Sequence, residues 1–245
     1  MSITPELQAS DRVAIFLDFD GTLVKIVDRP DLVRIPPGLL DALQDAHERL
    51  SGALALVTGR SISDLDELIE PLQLPAAGVH GLEYRDNSGI MCAGSRNAIP
   101  DPVRNRLVAL EATDPGLILE DKGASLAMHY RQSPHRKEAV SAQFEAIVAE
   151  LGPEFILQQG KMVIELRPAG ATKGTAVRKF MLAPPFAGRR PIFIGDDITD
   201  EDAFCVVNEM HGYSIRVGPD CAESEAHFVL PDVSAVQRWL DQVQR

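Results

Sequence analysis

Val13-Ala14-Ile15-Phe16-Leu17-Asp18-Phe19-Asp20-Gly21-Thr22-Leu23 decides the fold. The unbroken apolar run Val13 to Leu17 reads as a strand buried on both faces, as in a parallel sheet. It ends in two acids spaced two apart, which strand alternation points the same way. Gly21 then permits a sharp turn, and Thr22 adds a hydroxyl and a backbone N–H. Two carboxylates crowded at a strand's end are costly unless a proton or a cation offsets them. That is the layout of a metal-assisted phosphoryl-transfer site.

Outward from this stretch, two more apolar runs read as buried strands, Leu54–Val57 and Ile192–Ile194. Each run leads into small or polar residues and then a helical pattern. Leu39, Leu40, Leu43, Ala46 and Leu50 follow the first, closed by Gly52. The segment from Ser61 to Ile69, stopped by Pro71, follows the second. Thr199-Asp200-Glu201-Asp202, read as a capped helix start, follows the third, with Gly212 past its end. Val233, Val236, Leu240 and Val243 mark a last helix. The βα alternation predicts an α/β fold, a doubly wound parallel sheet with its site at the carboxyl ends of the strands.

The middle of the chain differs. Asp101-Pro102 is expected to cap a helix carrying Val103, Leu107 and Leu110. Strand-like runs at 117–121 and 124–131 turn at Lys122-Gly123. A second helix carries Val140, Phe144, Ile147, Val148 and Leu151, and a second strand pair, at 155–159 and 162–167, turns at Gly160-Lys161. This predicts an αββαββ module over 101–167, inserted between core segments 1–100 and 168–245.

Bulk properties narrow the function. The formal net charge of −12 argues against nucleic acid or an anionic membrane as partner. An anionic substrate would then need local cations. No stretch approaches the roughly 20 apolar residues of a membrane span. The first twelve residues, with Glu6 and Asp11, do not read as a secretory signal. Cys92, Cys205 and Cys221 are too scattered for a disulfide framework or a zinc site. A cytoplasmic protein is expected. Oligomeric state is left open, with a monomer as the working expectation. Cys205 is expected in the core face of its helix.

Four elements fall at core strand ends: Asp18 with Asp20, Thr58 in Val57-Thr58-Gly59-Arg60, Lys173 in Ala171-Thr172-Lys173-Gly174, and Asp196-Asp197-Ile198-Thr199-Asp200. Singly each has a plainer explanation, as a turn acid, a surface hydroxyl or a helix-start acid. Lys173 is less easily set aside, because a cation in a helix's first turn is mildly unfavourable unless an anion lies near. Together they meet the needs of phosphate monoester hydrolysis. These are a carboxylate nucleophile, hard oxygen ligands suited to Mg²⁺, a hydroxyl and an ammonium for the phosphoryl oxygens, and a second acid to move protons.

These motifs, in this order, resemble the haloacid dehalogenase superfamily of phosphohydrolases. Within it the chain is similar to the trehalose-6-phosphate phosphatase family over nearly its whole length. The more specific motifs lie outside the catalytic core: Gly78-Val79-His80-Gly81-Leu82-Glu83, Glu120-Asp121-Lys122-Gly123, His129-Tyr130-Arg131, and Gly160 to Pro168. The resemblance implies a C2B-type cap for the inserted module. It implies Asp18 as nucleophile and Asp20 as general acid/base, with Thr58 and Lys173 on the phosphoryl oxygens and Gly21 and Thr22 beside them. Mg²⁺ would be held by the Asp18 carboxylate, the Asp20 carbonyl and Asp196, with Asp197 and Asp200 in support. Glu120, Lys122 and Glu165 match cap positions used for the sugar's hydroxyls, and cap closure is expected to exclude water.

Arg60 either attracts the substrate phosphate or is solvated surface. His80 and Glu83 either line the sugar pocket or form a polar turn. His129 and Arg131 either touch sugar or support a strand. The expected partner is a small sugar phosphate, and the expected protein a free-standing phosphatase. Competing readings are a phosphatase for sucrose or glucosylglycerol phosphate, or a phosphoacceptor receiver domain. The receiver reading is disfavoured by Asp20 and by the inserted module.

Overall fold

The computed structural model describes residue 5 and residues 12–27, 32–89, 91–93, 99–219 and 223–242. The chain divides into two compact units, Met1–Ala93 with Thr172–Arg245, and Gly94–Ala171.

The larger unit is built on an eight-stranded sheet. Its strands are β1 (Val13–Leu17), β2 (Leu54–Val57), β3 (Ala76–Gly78), β4 (Glu83–Arg85), β5 (Met91–Ala93), β10 (Arg190–Gly195), β11 (Tyr213–Val217) and β12 (Phe228–Leu230). Their order is β12-β11-β10-β1-β2-β3-β4-β5, parallel from β12 to β3 and antiparallel at β4 and β5. Every residue of β1 and β2 is buried, which is why these strands show no polar alternation.

Helix α1 (Leu39–Arg49) joins β1 to β2, α2 (Ile62–Ile69) joins β2 to β3, and α6 (Glu201–Glu209) joins β10 to β11. α5 (Lys173–Phe180) leads toward β10, and α7 (Val233–Gln242) follows β12. The order runs outward from β1 and β10 in both directions. Right-handed crossovers therefore put α1 and α6 on opposite faces, and the switch point falls between β1 and β10. α1 packs with α7, and α5 with α6. An aromatic cluster of Phe16, Phe180 and Phe186, with Tyr84 on Phe180, fills part of this core.

Three local expectations are corrected. The helix start after β10 is capped by Asp197, whose N–H in turn donates to the Asp200 carboxylate, and Thr199 lies inside the first turn. Pro100, not Asp101, precedes the first turn of α3 (Asp101–Glu111). Cys205 is exposed, because α6 turns its neighbours Ala203, Phe204, Val206 and Val207 into the core. Val243, expected in the last helix, lies outside the described residues, as does Cys221.

The smaller unit is a four-stranded antiparallel sheet, order β6-β7-β9-β8, with β6 (Ile118–Asp121), β7 (Leu126–His129), β8 (Phe155–Gly160) and β9 (Val163–Pro168). α3 packs on β6 and β7, and α4 (Lys137–Leu151) on β8 and β9. Leu126, Met128, Ile164 and Leu166 meet Val103, Leu107, Val140, Phe144 and Ile147 in its core. Alternation sends Ser125, Ala127 and Glu165 to the opposite, polar face. No helix among the described residues is long and apolar enough to cross a membrane.

Candidate active site

Strand β1 ends at Leu17, and the Asp18 N–H donates to the Ile194 carbonyl of β10 at 2.9 Å. The first aspartate is thus fixed at the switch point. The chain then turns: the N–H groups of Thr22, Leu23 and Val24 all donate to the Phe19 carbonyl, and Gly21 adopts φ +90°. A Cβ at Gly21 would stand 2.3 Å from the Asp196 carboxylate, so conformation and space both require glycine here. Strand alternation has ended before this turn, and the two aspartates take different partners.

Asp18 is buried and accepts from Lys173 Nζ at 2.6 Å through Oδ1, with the Thr22 hydroxyl 3.5 Å from Oδ2. Lys173 opens α5, where Thr172 caps by accepting from the Thr175 N–H. Its ammonium also donates to Asp200 Oδ1 at 2.7 Å. The other Asp200 oxygen accepts the N–H groups of Asp196 and Asp197, both at 2.9 Å. Asp200 therefore orders both the lysine and the loop that presents Asp196. The anion that Lys173's position called for is a pair of buried carboxylates.

Burial drives the Asp18 carboxyl well above the ordinary carboxylate range, the Lys173 ammonium pulls it down, and Asp200 and Asp196 push it further up. Burial works against the charge on Lys173, but Asp18 and Asp200 outweigh it and hold its pKa above the ordinary lysine value. Carboxylate oxygens of Asp18, Asp196 and Asp200 lie within 4.8 Å of one another. Three carboxyl groups thus gather their oxygens beside the Lys173 ammonium in a buried space, with acidic groups in excess. Hard oxygen donors carrying that excess fit a divalent cation such as Mg²⁺.

Thr58 follows β2 and is buried. Its Oγ1 accepts from the Arg60 N–H at 3.1 Å, so the hydroxyl proton remains available for donation. Arg60 is buried, not solvated, and its guanidinium grips Asp20 through Nε at 2.6 Å and Nη2 at 2.7 Å. His80 is also buried, in left-handed backbone at φ 53°. Glu83 accepts from the Ile62 N–H at 2.7 Å and so serves the start of α2, while burial raises its carboxyl. Asp197, half-buried, caps the turn before α6.

In the smaller unit the register places Glu120 opposite Ala127, and Ala127 opposite Glu165. Two carboxylates thus flank a small residue on one face. Lys122 Nζ lies 3.9 Å from Glu120 and 3.5 Å from Glu165. His129 Nε2 is 2.8 Å from Glu120 Oε2, and the buried Ser125 hydroxyl donates to Glu165 Oε1 at 2.5 Å. Burial acts to raise Glu120, but the His129 hydrogen bond and the Lys122 charge hold it below the ordinary range. Arg131 donates to the Lys161 carbonyl at 3.2 Å, fastening the β8–β9 turn. Ser125 was invisible to motif reading; its signal is register, two residues from Ala127 on the Glu165 face.

Comparison with known proteins agrees with this geometry. The family model described as trehalose-phosphatase matches residues 16–234. A probable trehalose-phosphate phosphatase of Sinorhizobium fredii is 45% identical over 227 residues, covering 93% of this chain and 86% of the relative. The trehalose-6-phosphate phosphatase of Escherichia coli K12 is 42% identical over 241 residues, covering 98% and 89%. The crystal structure of a trehalose-6-phosphate phosphatase related protein superposes with a TM-score of 0.80 at 29% identity, covering 94% of this chain and 96% of the other. The chain belongs to the trehalose-phosphatase family.

Proposed function

We propose that the protein hydrolyses trehalose 6-phosphate to trehalose and inorganic phosphate through a phosphoenzyme on Asp18. The observation that carries this is the buried Asp18–Lys173–Asp200 array at the switch point, with Asp196 beside it. Lys173 fixes the Asp18 carboxylate with one oxygen committed, so the other can attack phosphorus. As the new Asp18–phosphorus bond forms, the bond from phosphorus to the sugar oxygen breaks, and Asp20 gives that oxygen its proton. Asp20 then takes a proton from water, which attacks the acyl phosphate. The bond to Asp18 breaks, phosphate leaves, and both aspartates are restored.

The Thr58 hydroxyl and the Lys173 ammonium donate to the phosphoryl oxygens, and Gly21 and Thr22 line that position. Asp18, the Asp20 carbonyl and Asp196 would hold Mg²⁺, with Asp197 and Asp200 ordering the loop. When bound, the cation supplies charge neutralisation for the incoming dianion. Local cations thus answer the difficulty that the net charge poses.

The unit spanning residues 94–171 supplies sugar recognition. Glu120, Lys122 and Glu165 offer acceptors and donors on one sheet face, suited to a polyol. A cytoplasmic setting suits the exposed free thiol of Cys205.

The direct test is phosphate release by Asp18→Asn with Mg²⁺ present. Turnover should vanish while the thermal melt is retained. Sustained turnover in that variant would remove Asp18 from the nucleophile's role.

A further inference from the structure

Arg60 carries a cation into the site at Asp20. Its side chain is 10% exposed, and its Nε and Nη2 donate to the two Asp20 oxygens in the fork geometry that fixes a carboxylate in plane. The guanidinium also lies over the Phe19 ring, 5.8 Å from its centroid. Asp20 itself is partly exposed, with 36% of its side chain accessible. Left to itself, such a side chain on a turn would sample several rotamers.

The backbone around Arg60 is held from outside. The Val79 N–H donates to the Arg60 carbonyl at 2.8 Å, and the His80 N–H donates to the Thr58 carbonyl at 3.0 Å. Both donors sit in left-handed backbone, Val79 at φ 46° and His80 at φ 53°. A β-branched residue there is a true outlier, with a cost of order 1–3 kcal/mol. The His80 ring closes the brace, since a Cβ on Gly59 would lie 2.8 Å from two of its atoms. Strain that the surroundings enforce is thereby placed on the segment that aims Arg60.

We propose that Arg60 is a positioning residue that orients the Asp20 carboxyl toward the leaving-group oxygen, and that the strained Val79–His80 turn serves to fix Arg60 for that task. This rests on the reading of Asp20 as the acid/base group. It assigns Arg60 to Asp20 instead of to the substrate phosphate, and gives the Gly78-Val79-His80-Gly81 motif a purpose.

The test compares two leaving groups. The sugar alkoxide needs a proton as it leaves, whereas the p-nitrophenolate of p-nitrophenyl phosphate does not. Arg60→Gln and Arg60→Lys should lower kcat on trehalose 6-phosphate by about 100-fold, the scale of a misplaced reacting group, with KM little changed. The loss on p-nitrophenyl phosphate should be smaller by about tenfold or more, both losses being read in the burst of leaving group that precedes the shared water step. In an Asp20→Asn background, Arg60→Gln should add no further loss. Added guanidinium ion should partly restore Arg60→Ala, a readout that a purely structural role would not give.

Equal losses on both substrates, full additivity with Asp20→Asn, or a defect confined to KM and phosphate inhibition would overturn the proposal. Wild-type failure on trehalose 6-phosphate would instead refute the substrate reading. The leaving-group comparison would then proceed on another alkyl phosphate.

Discussion

Replacing Lys173 with methionine removes the ammonium bonded to both Asp18 and Asp200, at 2.6 and 2.7 Å, from a site where its side chain is 3% exposed. Methionine keeps most of the volume, so the loss is electrostatic. Breaking a buried pair from one side costs about 3–5 kcal/mol, because the remaining charge is stranded. At about 2–4 °C per kcal/mol for a protein of this size, Tm should fall by roughly 6–20 °C near pH 7.5 without Mg²⁺.

The sign with pH follows. Burial already raises the folded pKa of Asp18 above its unfolded one, and losing the ammonium that pulls it down raises it further, so the folded state binds more protons between the two. Stability then falls as pH rises through that window. The Tm deficit should therefore shrink near pH 5.5, and Mg²⁺ should restore more stability to the variant than to the wild type. Thermal melts at two pH values, with and without Mg²⁺, read all of this. A Tm within about 2 °C of wild type, or a deficit independent of both pH and Mg²⁺, would refute the reasoning.

Two further outcomes are expected. Gly21→Ala forces a φ of +90° on a residue with a Cβ and drives that atom into Asp196. Stability should drop by about 1–2 kcal/mol and phosphate release by at least about tenfold, and unaltered turnover would show that Asp196 yields freely. His129→Leu removes one of the two groups, with Lys122, that hold Glu120 below the ordinary carboxylate range. A depressed carboxyl contributes stability above its unfolded pKa of about 4.3 and loses it as pH falls through the folded value. Acid unfolding followed by circular dichroism should therefore begin at higher pH in the variant.

The core of the fold was legible because parallel strands buried on both faces leave solid apolar runs, and β1 and β2 do so without interruption. The outer strands β3, β4, β5, β11 and β12 carry no such run and went unread. Asp18, Lys173 and Asp200 were found as motifs, but their mutual bonds span 155 and 27 positions and depend on the tertiary fold. Arg60 was read with its fate open, since nothing local distinguishes a solvated arginine from one folded back onto Asp20. Cys205 was misplaced because one residue's shift around a helix moves it by 100°. The paired faces of Glu120 and Glu165 follow from register, which hairpin turns set and composition does not reveal.

The most direct measurement of the central claim is a panel of sugar phosphates assayed for phosphate release with and without Mg²⁺. Trehalose 6-phosphate should be turned over in preference to sucrose and glucosylglycerol phosphates, and only with Mg²⁺ present. Preference for another sugar phosphate, or equal turnover after chelation, would contradict the account.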